Sequence, residues 1–144
     1  MSKDKVVAGK VQKRSESTEL TPLMVQYQSI KDEYRNEVLF FRLGDFYEMF
    51  NEDALEISRL LNLTLTHRAQ HPMCGIPYHA AKIYIARLLR LGKKIAICEQ
   101  VGEIGKGKTI AERKVIEIIT PGTAIESEYL EGGVNNYLAC CSVK

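Results

Sequence analysis

The chain has 144 residues, of which 45% are hydrophobic and 26% charged, and its net charge is +2. This length suits one domain with a real core. No run of about 18 apolar residues is present, so the sequence predicts no membrane span, and the charged N-terminus lacks the apolar stretch of a secretory signal. The four cysteines, with Cys140 and Cys141 adjacent, lack the spacing of a disulfide framework. They favour a reduced, cytoplasmic setting.

Positive charge is concentrated in the middle of the chain. Ile57–Lys114 carries eleven basic and three acidic residues, a net charge of +8, whereas Thr21–Glu56 has a net charge of −5. Such a segment is typical of an anion-binding face, and an ordinary solvated helix surface remains the alternative. The members of this candidate face are Arg68, Lys82, Arg87, Arg90, Lys93 and Lys94.

The first third of the chain predicts an arm, a helix and a strand. Residues 1–20 are rich in Lys, Ser and Glu and predict a disordered N-terminal arm. Thr21–Tyr34 predicts a helix, because Thr is a favourable cap and Pro follows at the first helical position. Glu37–Leu43 contains an apolar run that predicts a buried strand, and Gly44–Asp45 predicts a turn.

The central third predicts two further strands around a helix. Phe46–Phe50 is expected to be extended, and Asn51 is expected to cap a helix whose apolar stripe ends at Leu61. Leu63–Thr66 alternates between apolar and polar residues, as a half-buried strand does. Ala69–Pro77 contains two prolines and a glycine and predicts a loop.

The last third repeats the alternation of helix and strand. His79–Leu91 predicts an amphipathic helix that the following glycine ends, and Lys94–Glu99 predicts a strand. Gly102–Gly107 predicts a loop, and Val115–Ile119 and Tyr137–Val143 predict further strands. This order predicts an α/β, or α+β-like, domain in which helices flank a mixed β-sheet.

One motif, Arg42–Phe50, places an aromatic residue and a carboxylate two positions apart after a turn. Side chains in a strand alternate between faces, so Phe46 and Glu48 are expected on one face about 7 Å apart. Tyr47 and Met49 are then expected to face the core. Such a pair suits an apolar wedge with a hydrogen-bond acceptor beside it, since Phe is one of the residues that separate base steps. The alternative is that Phe46 packs in the core and Glu48 is solvated.

Further motifs follow the same order as in a known family. These blocks are Thr21–Met24, Gly75–Ala80, Ala96–Gln100, Glu112–Val115 and Thr120–Thr123. Together with Phe46–Glu48 they resemble the N-terminal mismatch-recognition domain, domain I, of the MutS family of bacterial DNA mismatch-repair proteins. The resemblance implies that 21–123 is this domain. It implies that 124–144 is a linker and the first strand of a truncated connector domain.

The resemblance also implies a site. Phe46 would enter the minor groove of duplex DNA that contains a mismatch or a small loop, and Glu48 would hydrogen-bond the mispaired base. Unstacking costs a few kcal/mol per step and less where pairing is faulty, so ease of deformation would provide discrimination. Further DNA contacts are expected at Leu43, His67, Arg68, Pro72, Met73, His79, Lys93 and Lys94.

The resemblance implies that the full-length protein is an ATPase through a C-terminal domain that is absent here. ATP and Mg are expected only in that domain, so no catalytic residue, cofactor site or metal site is expected in this fragment. A homodimer, a MutL-type partner and a bacterial, nucleoid-associated location in the cytoplasm are further implications.

Two other function classes compete with DNA recognition. Gly102–Thr109 fits the phosphate-loop pattern, in which Lys108 would contact the terminal phosphates and Thr109 would bind Mg²⁺. The strand predicted at Val115–Ile119 argues against it, since a helix N-terminus is needed to face the phosphate. The other class is a protein-interaction module that docks through Phe46.

Two clusters of ionisable residues are also candidates for metal chemistry. Four possible ligands fall within thirteen residues, but their spacing is not that of the usual close ligand pairs; they are His67, His71, Cys74 and His79. His and Arg in a loop beside DNA are the better interpretation. A metal-dependent nuclease built on Asp45, Glu48 and Glu52 is disfavoured, because no second cluster follows.

Overall fold

The computed structural model describes residues 20–102, 104, 107, 109–124, 126–127, 129–130 and 132–143. Residues 1–19 of the predicted N-terminal arm lie outside this set. Three helices are present in the described part, with a 3-10 turn at Tyr78–Ala80; they are α1 (Pro22–Glu33), α2 (Asn51–Leu61) and α3 (Ala81–Arg90). Among the described residues, the helices are all too short or too polar to cross a membrane.

Six strands form one sheet in the order β3-β4-β2-β1-β5-β6. The strands are β1 (Val38–Leu43), β2 (Phe46–Phe50), β3 (Thr66–Arg68), β4 (His71–Pro77), β5 (Ile95–Gln100) and β6 (Arg113–Ile119). The pair β1–β5 is parallel and the other four pairs are antiparallel. The predicted mixed sheet flanked by helices is therefore confirmed.

The two faces of the sheet have separate cores. Helices α2 and α3 cover one face, where Tyr47 and Met49 are buried as predicted. Helix α1 covers part of the other face, where Tyr27 packs edge-on against Phe41 and Phe50. This second face stays open towards the turn between β1 and β2, since Phe46 is 46% exposed there.

The predicted loop at Ala69–Pro77 is wrong, because His71–Pro77 forms strand β4 between β2 and β3. Proline lacks an N–H and is tolerated near strand ends. Pro72 and Pro77 lie near the two ends of β4, so the residues between them remain able to pair with β2. The proline content of the segment concealed a strand.

Two boundaries around α2 also differ from the prediction. The strand expected at Leu63–Thr66 begins only at Thr66, because the Leu63 N–H donates to the Ser58 carbonyl at 2.8 Å and stays tied to the end of the helix. The expected cap role of Asn51 is wrong, since Asn51 is the first residue of α2. Its side-chain oxygen lies 3.0 Å from His71 Nδ1 and links α2 to β4.

The strand predicted at Tyr137–Val143 is absent from the described residues 132–143. A strand needs a neighbouring strand for its backbone hydrogen bonds, and here the Tyr137 carbonyl and the Leu138 side chain lie against Gly122 instead. Tyr137 and Leu138 are strongly exposed. The assignment of 124–144 to a following domain stays a prediction.

A buried carboxylate joins three elements at the start of β1. The β1–β2 pair farthest from the turn is Phe41 with Glu48. Closer to the start of β1, the Leu39 N–H donates instead to Asp53 Oδ2 at 3.0 Å. Asp53 Oδ1 accepts another from Lys31 Nζ on α1 at 3.0 Å. Asp53 thus replaces a strand partner for β1 and ties α1 to α2.

We expect Asp53→Ala to lower the free energy of unfolding by about 3 kcal/mol, because it leaves the buried Leu39 N–H without its acceptor and removes the counter-charge of the partly buried Lys31 ammonium group, which keeps only the Glu37 carbonyl. Urea unfolding at neutral pH measures this loss. The matched control is Asp32→Ala, which removes an exposed carboxylate that pairs with Arg35 at 4.0 Å, and we expect it to change stability by less than about 0.5 kcal/mol. Equal effects of the two variants would contradict the role of Asp53.

Candidate nucleic-acid interface

The turn between β1 and β2 is the two-residue Gly44–Asp45 connection that the sequence predicts. Leu43 pairs with Phe46 across it. Gly44 has φ +58°, a left-handed conformation that costs other residues roughly 1–2 kcal/mol. A Cβ at Gly44 would meet no atom within 4 Å, so the need for glycine here is conformational and not steric.

Phe46 and Glu48 share one face of the sheet, as predicted. Their cross-strand neighbours on β4 are Pro77 and Gly75. Gly75 contributes no side chain, and a Cβ built there would lie 3.8 Å from Phe46 Cδ1 and 3.6 Å from Glu48 Cγ. The alternative in which Phe46 is core packing is excluded for this chain by its 46% exposure. The open sheet face, formed by Leu43, Phe46, Glu48, Gly75 and Pro77, is the candidate site.

Glu48 pairs with an arginine on a different hairpin. Arg68 Nη1 donates to Glu48 Oε2 at 3.0 Å, and the two side chains are 47% and 14% exposed. Burial raises the pKa of Glu48, and the nearby guanidinium groups of Arg68 and Arg113 oppose this only in part. The fold therefore disfavours the negative charge that it places beside Phe46.

The turn is held from the opposite face by Arg42, a residue whose role the sequence did not indicate. Arg42 Nε donates to the Gly44 carbonyl at 2.6 Å, and Nη1 lies 3.4 Å from Glu99 Oε1. Its guanidinium also stacks 3.8 Å from the centre of the Tyr78 ring. Arg42 thus links the turn to β5 and to the 3-10 turn that follows β4.

Three further hydrogen bonds complete this support. The Tyr78 N–H donates to the Asp45 carbonyl at 2.9 Å. The Tyr47 hydroxyl donates a short hydrogen bond to Glu99, and burial together with this bond raises the pKa of Tyr47 to about 12. The buried Arg113 donates to the Arg42 carbonyl at 2.6 Å. Phe46 therefore follows a turn whose flanking strands are tied to β5, to β6 and to the 3-10 turn after β4.

The other predicted DNA contacts divide between two regions. Leu43 lies beside Phe46 on the open sheet face, and His79 is exposed in the 3-10 turn directly after Pro77. Met73 lies further along the same face, where it packs against the α1 core. The structure therefore groups these side chains with the wedge or with the strand beside it.

His67, Pro72, Lys93 and Lys94 are not grouped with the wedge. His67 and Pro72 are register partners, and strand alternation directs them to the face opposite Arg68. Lys93 and Lys94 precede Ile95, which pairs with Val38 at the far end of β1, and Lys93 pairs with Glu56. That end lies roughly 16 Å from the turn at the usual rise per residue.

The candidate anion-binding face of the middle segment is not one surface. Arg68 lies on β3 beside Glu48, whereas Lys82, Arg87 and Arg90 lie on α3, which packs on the opposite face of the sheet. Lys82 also pairs with Glu126 at 2.8 Å. High local charge in the sequence therefore did not predict a common location.

The competing chemical interpretations gain no support in the described part of the chain. No group of three or more possible metal ligands occurs there; Cys74 is a buried free thiol and His71 faces Asn51. The phosphate-loop candidate precedes a strand, β6, in place of the required helix. Lys108 of that motif lies outside the described residues.

An aromatic side chain and a carboxylate on an open sheet face beside a rigid turn define a candidate nucleic-acid-binding domain. Comparison with known proteins gives the family: residues 21–128 match the profile of MutS domain I. The chain is 68% identical over 126 residues to the DNA mismatch repair protein MutS of Treponema denticola, which covers 86% of the chain and 14% of that protein. It therefore belongs to the MutS family.

Two other relatives carry the same name. They come from Halothermothrix orenii, at 54% identity over 127 residues, and from Borreliella burgdorferi, at 52% over 123 residues. Each match covers 85% of this chain and 14% of the relative. The chain thus spans about one seventh of the length of these proteins, and its membership of the family supports a role in DNA mismatch repair.

We expect Glu48→Gln to raise the free energy of unfolding at pH 7, because it removes a charge that burial disfavours. A raised pKa means that the folded state binds the proton more tightly than the unfolded state, so the wild-type carboxylate destabilises the fold as pH rises through its folded pKa. The advantage of the variant should therefore vanish at acidic pH, below the unfolded pKa. Urea unfolding of both proteins across this range measures it.

The control for this stability experiment is Glu117→Gln, which changes an exposed glutamate on strand β6. We expect no comparable pH-dependent difference there. A Glu48→Gln variant less stable than wild type at pH 7 would show that the Arg68 pair outweighs the desolvation of the carboxylate.

Proposed function

We propose that this domain recognises mispaired or unpaired bases in duplex DNA, with Phe46 inserted from the minor groove and Glu48 hydrogen-bonded to the mispaired base. One observation carries the proposal: an exposed aromatic ring and a carboxylate share an uncovered sheet face directly after a rigid turn. The match to MutS domain I supports the same conclusion.

Phe46 has the geometry of a wedge. It is the first residue of β2 and lies at the end of the sheet, where a ring can project past the strands. Inserting a ring between base pairs costs a few kcal/mol of unstacking, and the cost is lower where pairing is already faulty. Because the turn is rigid, the ring cannot withdraw into the sheet when it meets DNA. The DNA must deform instead, and the free energy of that deformation differs between matched and mismatched duplexes.

Glu48 contributes to selectivity in two ways. Against an intact duplex its negative charge is repelled by the phosphates, which lowers the competing affinity. At a mismatch the carboxylate accepts a hydrogen bond from a base N–H such as thymine N3. A bond to a purine N7 requires the protonated form, and surrounding phosphates raise the pKa of Glu48 in that direction.

The residues near the wedge supply the remaining contacts in this proposal. Arg68 and His79 are exposed and would contact phosphates or a groove edge, while Leu43 flanks the inserted ring. Contacts of Met73, His67, Pro72, Lys93 and Lys94 with DNA also remain proposals. Those of Lys93 and Lys94 would need a duplex that extends along the sheet to the far end of β1.

The properties of the whole protein are proposals that follow from the family. We expect an ATPase domain with its ATP and Mg site beyond residue 144, a homodimer, a MutL-type partner and a cytoplasmic, nucleoid-associated location. The fragment alone is expected to bind DNA weakly and not to hydrolyse ATP. Docking of Phe46 into a partner protein is the second candidate function, and its exposure is the observation that favours it.

We expect Phe46→Ala to lower the affinity for a short duplex with one G·T mismatch by about tenfold, since base–aromatic stacking contributes about 1–3 kcal/mol. Affinity for the matched duplex should remain unchanged. Amide chemical-shift titration of the domain with both duplexes measures this, and urea unfolding should show little loss of stability because Phe46 is half exposed.

The matched control for the wedge is Ile116→Ala, an exposed apolar residue on β6, which we expect to leave both affinities unchanged. A Phe46→Ala variant that keeps the wild-type preference for the mismatch would refute the wedge. If wild type binds neither duplex and a partner protein requires Phe46 at any salt concentration, the docking function is correct instead.

We expect Glu48→Gln to bind the matched duplex about threefold more tightly at low salt, because one charge repelled by phosphates is removed. The preference for the mismatch should shrink accordingly. Salt titration of both affinities is the check, since the gain should fade as salt screens the phosphates. Unchanged matched-duplex affinity would remove the repulsion argument.

A further inference from the structure

The carboxylate that is proposed to meet a base is already engaged in the free domain. Arg68 Nη1 donates to Glu48 Oε2 at 3.0 Å across β4, which lies between their two strands. Glu48 is only 14% exposed although it stands on the open sheet face, whereas Arg68 is 47% exposed. A base that hydrogen-bonds this oxygen must therefore share it with Arg68 or displace Arg68.

Arg68 occupies a position from which it can move. It is the last residue of β3, a three-residue edge strand whose members are all exposed. The next residue, Ala69, begins the β3–β4 turn with φ +53°. The guanidinium thus lies at the periphery of the sheet, on a long side chain with access to solvent and to an approaching backbone.

The second cation near Glu48 cannot move in this way. Arg113 is 7% exposed, and its guanidinium donates to three acceptors of the fold: the Arg42 carbonyl, the Ala111 carbonyl and the Gln26 side chain. The cross-strand neighbours of Glu48, Phe41 and Gly75, carry no charge. Arg68 is therefore the one exchangeable charge among the groups that face Glu48 in the described chain.

We propose that Arg68 is a displaceable counter-ion, which holds Glu48 as an ionised acceptor in the free domain and moves to a backbone phosphate when DNA binds. The proposal rests on the proposed function. Arg68 is then a positioning residue that decides whether Glu48 accepts a hydrogen bond from a base or donates one.

The exchange has a defined proton balance. The contact between the Arg68 N–H and the Glu48 carboxylate breaks, and a contact between that N–H and a phosphate oxygen forms. Glu48 is then left largely buried near phosphates without its main counter-charge, so it takes a proton from solvent. The resulting O–H can donate to a purine N7, whereas the ionised form accepts from thymine N3.

The chemistry of arginine fits both partners. Its planar guanidinium pairs with carboxylates and with phosphates through the same fork of N–H groups. Burial already raises the pKa of Glu48, and Arg68 opposes this rise more strongly than Arg113 does. When Arg68 leaves, burial and the phosphate charges both raise the pKa of Glu48.

The first test uses the free protein and needs no DNA. We expect Arg68→Gln to shift the pKa of the Glu48 carboxyl upward in a carbon-detected NMR titration, and Arg68→Lys to keep it near the wild-type value. The control is Arg35→Gln, which removes an exposed arginine at 4.0 Å from Asp32. An unchanged pKa of Glu48 in Arg68→Gln would overturn the counter-ion role.

The second test measures proton uptake when the domain binds a short duplex with one A·A mismatch, by calorimetry in buffers of different ionisation enthalpy. Adenine has no ring N–H, so Glu48 can bond its N7 only in the protonated form. We expect wild type and Arg35→Gln to take up a similar fraction of a proton, Arg68→Gln less, and Glu48→Gln none. Arg68→Gln should also lower the salt dependence of log affinity by about one unit of slope, because one phosphate contact is lost.

The outcomes separate this inference from the proposed function. One outcome is that wild type binds the mismatch selectively while Arg68→Gln takes up as many protons as wild type. Proton uptake then does not depend on Arg68, so the exchange is refuted and mismatch recognition stands. If wild type itself shows no preference for the mismatch, the proposed function fails and the exchange fails with it.

Discussion

The support of the β1–β2 turn by Arg42 is the interaction on which the open sheet face around Phe46 depends. One guanidinium bonds the Gly44 carbonyl, pairs with Glu99 and stacks on Tyr78, all on the face away from Phe46. A two-stranded hairpin is only marginally stable in isolation. Because its hydrogen bonds are satisfied from behind, the front of the turn can present an aromatic ring to solvent without losing its shape. The contacts that hold the turn thus lie on one face of the sheet, and the exposed ring of Phe46 lies on the other.

The helices cover the two faces of the sheet unequally, so the larger core lies on the face opposite Phe46. Helices α2 and α3 bury one face completely enough to form the larger core, and α1 reaches only part of the other. The uncovered part costs the protein buried apolar area, and it also holds a carboxylate whose ionised form burial disfavours. Perturbed ionisable groups at an open surface are typical of functional sites. In this domain, the lost apolar burial and the disfavoured carboxylate occur at the same place, where Phe46, Glu48 and Arg68 lie together on the open sheet face.

Local patterns in the sequence predicted much of the fold. The period of two placed Phe46 and Glu48 on one face and Tyr47 on the other, since alternation depends only on extended backbone. The glycine of the β1–β2 turn and the Thr21 cap of α1 were readable for the same reason, because each acts within three or four residues. Prolines misled the prediction at β4, since their local signal is that of a loop.

The sequence by itself determined most of the helices and strands, the β1–β2 turn and the shared face of Phe46 and Glu48, and the motifs it carries indicated the family. The tertiary structure alone decided what those residues meet. Arg68 reaches Glu48 across 20 positions of sequence, and Arg42 reaches Glu99 across 57. It also put Lys93 at the opposite end of the sheet from Phe46 despite its charge. Such partnerships depend on strand order and on which face each helix covers, and these are set by packing of the whole chain.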